Sequence, residues 1–87
     1  MDIRIVVLQR GWVAVGDYHQ LGNECRLSGA SIVRRWGTTR GLGEIAAAGP
    51  TKTTVLDSSP DIIFHPLTVV LTIGCAEEHW RTHCKPR

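Results

Sequence analysis

The sequence predicts an all-β domain built as a small, strongly bent antiparallel sheet or barrel. Short β-branched, apolar segments alternate with glycine-containing turns, which is the pattern of such folds. No segment before Gly37 shows helical periodicity. The length of 87 residues and the 43% hydrophobic content are those of one globular domain. Its core would be modest, so oligomerisation is a natural supplement.

Four strands are predicted in the first half of the chain, at residues 3–8, 12–19, 24–27 and 30–36. The first of them (IRIVVL) is short, β-branched and apolar except for Arg4, so we expect a well-buried strand. Gly16 predicts a bulge and Gly29 a kink, because glycine inside a strand usually marks a bend. We expect Trp12 and Tyr18 to pack in the core, since aromatic residues beside glycine commonly fill small barrels.

The second half predicts a long central insertion loop at residues 37–52 that carries a short helix in GEIAAAG, ended by Gly49-Pro50. Further strands are expected at residues 52–57, 61–65 and 67–73. Pro66 divides the last two and belongs at a corner. The whole chain, 1–87, is thus expected to be a single domain. Its β core is 1–36 and 53–73, and 74–87 is a C-terminal tail or short helix.

Charge and cysteine content narrow the function classes. The net charge is +2, and eight of the ten cationic residues are arginine, the side chain suited to phosphate contacts and base stacking. This predicts a mild preference for an anionic partner. The N-terminus lacks the features of a signal peptide, and the longest apolar run is well short of the ~20 residues that cross a bilayer. Three cysteines are unlike a disulfide framework, so we expect a cytoplasmic protein with reduced thiols and no membrane partner.

The segment RRWGTTR holds the candidate ligand-binding residues. Strand alternation sends Arg34 and Trp36 to one face and Arg35 to the other. An exposed tryptophan beside arginine offers stacking plus charge, the combination that holds nucleotides. The glycine-containing loop that follows could present backbone N–H groups to a phosphate. The predicted residues in this segment are Arg34, Arg35, Trp36, Thr38, Thr39 and Arg40. Alternatively, Trp36 plugs the barrel end and the arginines are solvated or paired with Glu44 or a neighbouring subunit.

Catalytic and metal sites are not predicted. Asp57, Ser58, Ser59 and His65 lack the spacing of a hydrolase site, so we expect no enzyme activity. Cys75, His79, His83 and Cys84 do not follow a zinc-finger spacing. The i to i+8 separation spans about 12 Å of helix, too far for one ion. We therefore expect no metal and no cofactor.

Two segments resemble the Sm-like (LSm/Hfq-type) barrel, a fold akin to the SH3-like barrels. VVLQRGWVAVGDYHQLGNECRLSGA is similar to its first half, and DIIFHPLTVVLTI is similar to its second half. The resemblance implies a ring of subunits joined at strand edges and, at the RNA-contacting turn, adds Asn23 to the candidate ligand-binding residues. The chain differs in starting with a strand instead of a helix and in having His65-Pro66 where the family has arginine-glycine. It is also similar to small bacteriophage-encoded proteins with a segment like RRWGTTRGLGE.

Together these features predict a phage-type homo-oligomer that binds an anionic, nucleotide-containing ligand without chemistry, in the host cytoplasm if phage-encoded. The ligand is either single-stranded RNA or DNA, or a small nucleotide signal that an anti-defence protein sequesters. The alternative is a structural or protein-partner-binding oligomer with no ligand.

Overall fold

The computed structural model describes residues 1–84. Within this range the chain forms one six-stranded antiparallel sheet and two short α-helices. The elements are β1 (Ile3–Leu8), β2 (Val13–Leu21), β3 (Glu24–Arg35), α1 (Leu42–Ala48), β4 (Val55–Ser58), β5 (Ile62–Phe64), β6 (Val69–Gly74) and α2 (Glu77–Trp80). Two 3₁₀ turns, Gln9–Gly11 and Pro66–Thr68, connect β1 to β2 and β5 to β6. The mostly β architecture confirms the predicted class.

The strand order is β4-β3-β2-β1-β6, and β5 pairs with β3 beside β4. Strand β3 therefore has β2 along one side, and on the other side β5 pairs with its first part and β4 with its last part. Strand β6 pairs with β1 and, among the described strands, with no other. The sheet is consequently open, and the predicted closure into a barrel is not formed by these pairings.

Strand β3 is one continuous strand of 12 residues, so the prediction of two separate strands at 24–27 and 30–36 is wrong. The predicted kink lies inside it at Gly29, which has a φ of 57°. Opposite this bend, the β2–β3 register shifts between Val15 and Asp17, where the single residue Gly16 faces Gly29 and Ala30 of β3. The irregularity predicted at Gly16 is therefore present, but the extra residue of the bulge belongs to β3. A Cβ at Gly16 would lie 3.0 Å from the carbonyl oxygen of Ser28, so glycine permits the close approach of the two strands.

The first hydrophobic cluster covers one face of the central strands. Ile3 and Ile5 of β1 pack there with Val13, Val15 and Val33. The two helices and the turn after α2 cover this face, through the buried side chains of Leu42, Ile45, Ala46, Trp80 and Cys84. Helix α1 is thus part of the core, although the sequence placed it in an insertion loop.

The second cluster lies on the opposite face, around Val6, Ala14, Leu27 and Ala30. It is covered by side chains of β5 and β6, Ile62, Phe64 and Val69 among them, because the bend in β3 folds the sheet over this face. Both faces of β1 are therefore covered, which agrees with the prediction of a well-buried strand.

The prediction that Trp12 and Tyr18 fill the core is wrong for the tryptophan. Trp12 is 60% exposed, and Tyr18 is half-buried against the second cluster. The interior tryptophan is Trp80, whose side chain is 0% exposed. Its indole Nε1 donates a 2.8 Å hydrogen bond to the carbonyl oxygen of Ile45, so it fastens α2 to α1. The C-terminal segment is a short helix as far as the structure describes it, and residues 85–87 lie outside that range.

The remaining predictions differ mainly at element ends. Strand β1 and the end of α1 before Gly49-Pro50 match, and Pro66 begins the turn into β6. Strand β4 starts three residues later than predicted because Thr51, Thr53 and Thr54 form a hydrogen-bonded turn. Among the described helices, none is long and apolar enough to cross a membrane.

Candidate functional site

Five strands begin or finish at the same end of the sheet, along the strand direction. Strands β1 and β3 finish there, and β2, β4 and β6 begin there, because all neighbouring pairs are antiparallel. The strand register shows which residues lie at this end: Leu8 is opposite Val69, Val7 is opposite Val13, and Arg35 is opposite Val55. We use the name cationic end for this end of the sheet together with its turns and loops, which are residues 8–13, 34–41, 51–55 and 66–69.

The cationic end is named for four exposed side chains that make no ion pair with any residue the structure describes. They are Arg10, Arg35, Arg40 and Lys52. In contrast, Arg4, Arg26 and Arg81 are each paired with carboxylates at the other end of the sheet. Cations with and without carboxylate partners are therefore segregated along the strand direction, which leaves a positive potential at one end.

Arg34, Arg35 and Trp36 follow one another where β3 leaves the sheet. Arg34 lies 3.3 Å from Asp57 on neighbouring β4, and both side chains are largely exposed. An exposed pair of this kind contributes at most about 1 kcal/mol, so Arg34 remains able to exchange this partner for a ligand. Trp36 is 45% exposed and does not plug the sheet; Trp80 occupies the interior instead.

A network of threonine hydroxyls fixes the backbone directly after β3. Thr54 Oγ1 donates a 2.6 Å hydrogen bond to the carbonyl oxygen of Trp36, and Thr51 Oγ1 donates one of 2.7 Å to that of Gly37. Gly37 has a φ of 67°, and a Cβ there would lie 2.5 Å from the backbone of Thr53 and Thr54. The network therefore holds the backbone of Trp36 in one conformation. A side chain on such a backbone would lose less conformational entropy on contact with a ligand.

Two of the predicted loop residues hold the loop itself. Thr38 Oγ1 accepts a 2.9 Å hydrogen bond from the N–H of Gly41, so that N–H is not available to a phosphate. Thr39 Oγ1 donates to the carboxylate of Glu44 at 3.4 Å. Glu44 thus pairs with a threonine, whereas the sequence offered it as a partner for the arginines.

Asn23 is separated from the other predicted residues. It lies in the β2–β3 turn, at the start of β3, whereas Arg34 and Trp36 lie at its end. The structure therefore brings together six of the seven predicted residues, Arg34, Arg35, Trp36, Thr38, Thr39 and Arg40, and leaves Asn23 outside this group.

Three further residues lie at the cationic end but were not selected from the sequence. Arg10 and exposed Trp12 come from the β1–β2 turn, and Lys52 from the turn before β4. Arg10 has a φ of 68°, the one left-handed non-glycine residue in the described range. The sequence did contain a signal for Arg10 and Trp12. Antiparallel pairing of three consecutive strands, β1, β2 and β3, places the β1–β2 turn beside the end of β3.

The other chemical groups lie elsewhere. A cleft of about 320 Å³ is lined by Gly29, Ser59, Pro60 and Asp61, near the bend of β3. The structure as described brings no three cysteine, histidine, aspartate or glutamate side chains together to hold a metal ion.

Two C-terminal cysteines border the first cluster. Burial raises the pKa of the Cys75 thiol to about 12, and the charge of Cys84 adds to this rise. Burial, with a contribution from the charge of Asp17, raises the pKa of Cys84 to about 11. Both are neutral thiols at pH 7, unlike the thiolates that bind metals or act as nucleophiles.

The cationic end is therefore the surface at which exposed aromatic rings coincide with unpaired positive charge. Comparison with protein-family models and with curated proteins finds no match to this chain.

Proposed function

We propose that this protein binds an anionic, nucleotide-containing ligand at the cationic end and performs no chemistry on it. The observation that supports this most is the segregation of charge: Arg10, Arg35, Arg40 and Lys52 are exposed and lack carboxylate partners in the described structure, and Trp36 is exposed among them. Arginine binds phosphate in a bidentate manner, and the indole stacks on a base.

We also propose that the protein assembles into a closed homo-oligomer. In this assembly, strands pairing between subunits would complete the Sm-like or SH3-like barrel. Strands β4, β5 and β6 leave unpaired edges in the described sheet. Pairing such edges around a ring removes their exposed backbone donors and acceptors. A ring would also repeat the cationic end once per subunit, and so multiply weak contacts to one ligand.

A binding titration with Trp36→Ala tests the proposed site. We expect single-stranded oligonucleotide, or the nucleotide that copurifies with the protein, to bind at least about fivefold more weakly, because stacking contributes about 1–3 kcal/mol per base. Arg40→Ala should weaken binding chiefly at low salt, since ions screen a phosphate contact. Native mass spectrometry of the freshly purified protein would give the subunit number and the mass of any bound ligand.

Leu21→Ala is the matched control, because Leu21 is an exposed apolar residue at the end of β2, next to the β2–β3 turn and outside the cationic end. It should bind as the wild type does. A folded, fully assembled Trp36→Ala protein with wild-type affinity for nucleotides and oligonucleotides would remove the proposed site.

A further inference from the structure

Trp12 and Arg10 bring a second exposed aromatic ring and a further unpaired cation to the cationic end. The last β2–β3 pair towards the cationic end is Ala14 with Ile32. Trp12 precedes Ala14 by two residues and Arg34 follows Ile32 by two residues, so both lie beyond this pair at the same end of the sheet. Trp12 belongs to the β1–β2 turn and Trp36 to the segment after β3, so two separate elements supply the two rings.

We propose that the cationic end binds single-stranded nucleic acid across both tryptophans, with Trp12 and Arg10 as binding residues alongside Trp36 and Arg35. The proposal rests on the proposed function and narrows its ligand to the polymer. Successive bases stacking on separate aromatic side chains, with phosphates following cations between them, is the general mode of single-strand binding.

The shape of this surface favours a polymer over a small nucleotide. A small ligand is normally held in a concave pocket that covers most of its surface. Trp12 and Trp36 are instead 60% and 45% exposed. Three of the unpaired cations, Arg10, Arg40 and Lys52, lie on three different connections, and Arg35 is the last residue of β3. The 320 Å³ cleft contains none of these cations and has the carboxylate of Asp61 in its lining. It is separated from Arg35 by six residues of β3, up to about 20 Å.

The charge distribution agrees with an extended anion. Only Asp57 and Glu44 bring carboxylates close to this surface in the described range, and they contact Arg34 and Thr39. The other described acidic residues lie towards the opposite end or in the C-terminal segment, where they pair with Arg4, Arg26 and Arg81 in several cases. A nucleic-acid strand therefore meets little like-charge repulsion when it crosses this surface.

Fluorescence anisotropy with a labelled 12-nucleotide oligo(dT) and oligo(U) tests the proposal on the full chain. Trp12→Ala should reduce affinity by about fivefold or more, as one lost base stack does. Contact with four cations per subunit predicts a slope of log K against log salt of about −3 for a single strand bound to one subunit. A mononucleotide, which offers few phosphates, should show a much shallower slope.

Arg10→Gln and Arg81→Gln form a matched pair, because each removes one positive charge but Arg81 is paired with Glu77 at 2.6 Å away from the cationic end. Arg10→Gln should weaken oligonucleotide binding severalfold and Arg81→Gln should leave it nearly unchanged. Equal weakening by both would show an effect of net charge only and would overturn the proposal. This pair also decides the matter if Trp12→Ala fails to fold.

The remaining outcomes separate the two proposals. If Trp36→Ala weakens oligonucleotide binding and Trp12→Ala does not, the second ring is not used and this inference is wrong while the site stands. If a small nucleotide binds but the oligonucleotides do not, the ligand is the small one and this inference again fails. If neither class of ligand binds the wild-type protein, the proposed function fails together with it.

Discussion

The three tryptophans occupy three different environments, and each environment indicates a different role. Trp80 is fully buried and donates its indole N–H to Ile45, whereas Trp12 and Trp36 are exposed at the cationic end. A buried indole with a satisfied N–H stabilises a fold, and an exposed one beside arginine is available for stacking. Substitutions should therefore divide cleanly between loss of stability and loss of binding.

For Trp80→Ala we expect a loss of about 3–5 kcal/mol in the free energy of unfolding, because the change leaves a cavity between α1 and the sheet. This is a large part of the stability of a small domain. Trp80→Phe keeps most of the apolar volume but loses the hydrogen bond to Ile45, whose carbonyl still accepts from the N–H of Gly49, so it should cost less. Urea unfolding measures both. Trp12→Ala is the control and should change stability by about 0.5 kcal/mol or less; an equal loss in Trp12→Ala and Trp80→Ala would contradict this assignment.

Gly37 and Gly22 permit a matched test of the threonine-fixed turn. Both have left-handed φ values, 67° and 60°, but a Cβ meets the backbone of Thr53 and Thr54 only at Gly37. Gly22→Ala should cost about 1–2 kcal/mol for the backbone conformation alone. Gly37→Ala should cost clearly more, because the turn must also shift. Thermal unfolding of the two variants measures the difference, and equal melting temperatures would show that the contact at Gly37 is relieved without cost.

The thiols of Cys75 and Cys84 predict a loss of stability at high pH. Their pKa values are raised in the folded chain to about 12 and about 11. In the unfolded chain they ionise near the ordinary cysteine pKa of about 8.5–9. Between these values the folded state holds more protons, so the free energy of unfolding falls as pH rises from about 9 towards 12. Urea unfolding at pH 8 and pH 10.5 measures the fall, and Cys75→Ala should reduce it; a fall of the same size in that variant would exclude Cys75 as its source.

At the scale of elements, local signals predicted what depends on neighbours in the sequence. The well-buried strand β1, the register shift at Gly16 and the helix before Gly49-Pro50 all follow from residue type and spacing. The continuity of β3 could not be predicted in this way. Gly29 bends the strand without ending it because β2 pairs with both halves, and this is a non-local contact.

The candidate site shows the same division. The sequence predicted the group from Arg34 to Arg40 because its members are contiguous, and β3 with its following turn keeps them together. It did not predict Arg10, Trp12 and Lys52, which reach the same end only through strand pairing. It also assigned an interior position to Trp12 and none to Trp80, whose indole bonds to a residue 35 positions away in the sequence.

On the scale of the whole molecule, the exposed apolar side chains that lie outside the cationic end concentrate at the outer strands. Strand β6 (VVLTIG) carries no charge, and its Val70 and Leu71 are exposed. Ile63 of β5 is exposed on the strand that pairs with β3 at the other side of the sheet. Edge strands of monomeric proteins usually carry charges or proline that prevent pairing with another chain. Strand β6 lacks both, and its one register shift against β1 lies at its start, between Val69 and Leu71, so we propose that β6 of one subunit pairs with the open edge of the next.

Val70→Lys tests that proposal, because a lysine on an exposed edge opposes strand pairing between chains while it remains solvated in the monomer. We expect the wild type to sediment as a closed oligomer at micromolar concentration and Val70→Lys to shift towards the 9.6 kDa chain. Leu21→Lys makes the same kind of change at the exposed last residue of β2 and should leave the subunit number unchanged. Circular dichroism should show a folded sheet in both variants, so that dissociation is distinguished from unfolding.

A wild-type protein that sediments as a single 9.6 kDa species would refute the oligomer. If instead the wild type and Val70→Lys form the same oligomer, the subunits are joined through a surface other than β6, and the repetition of the cationic end around the assembly would follow that surface.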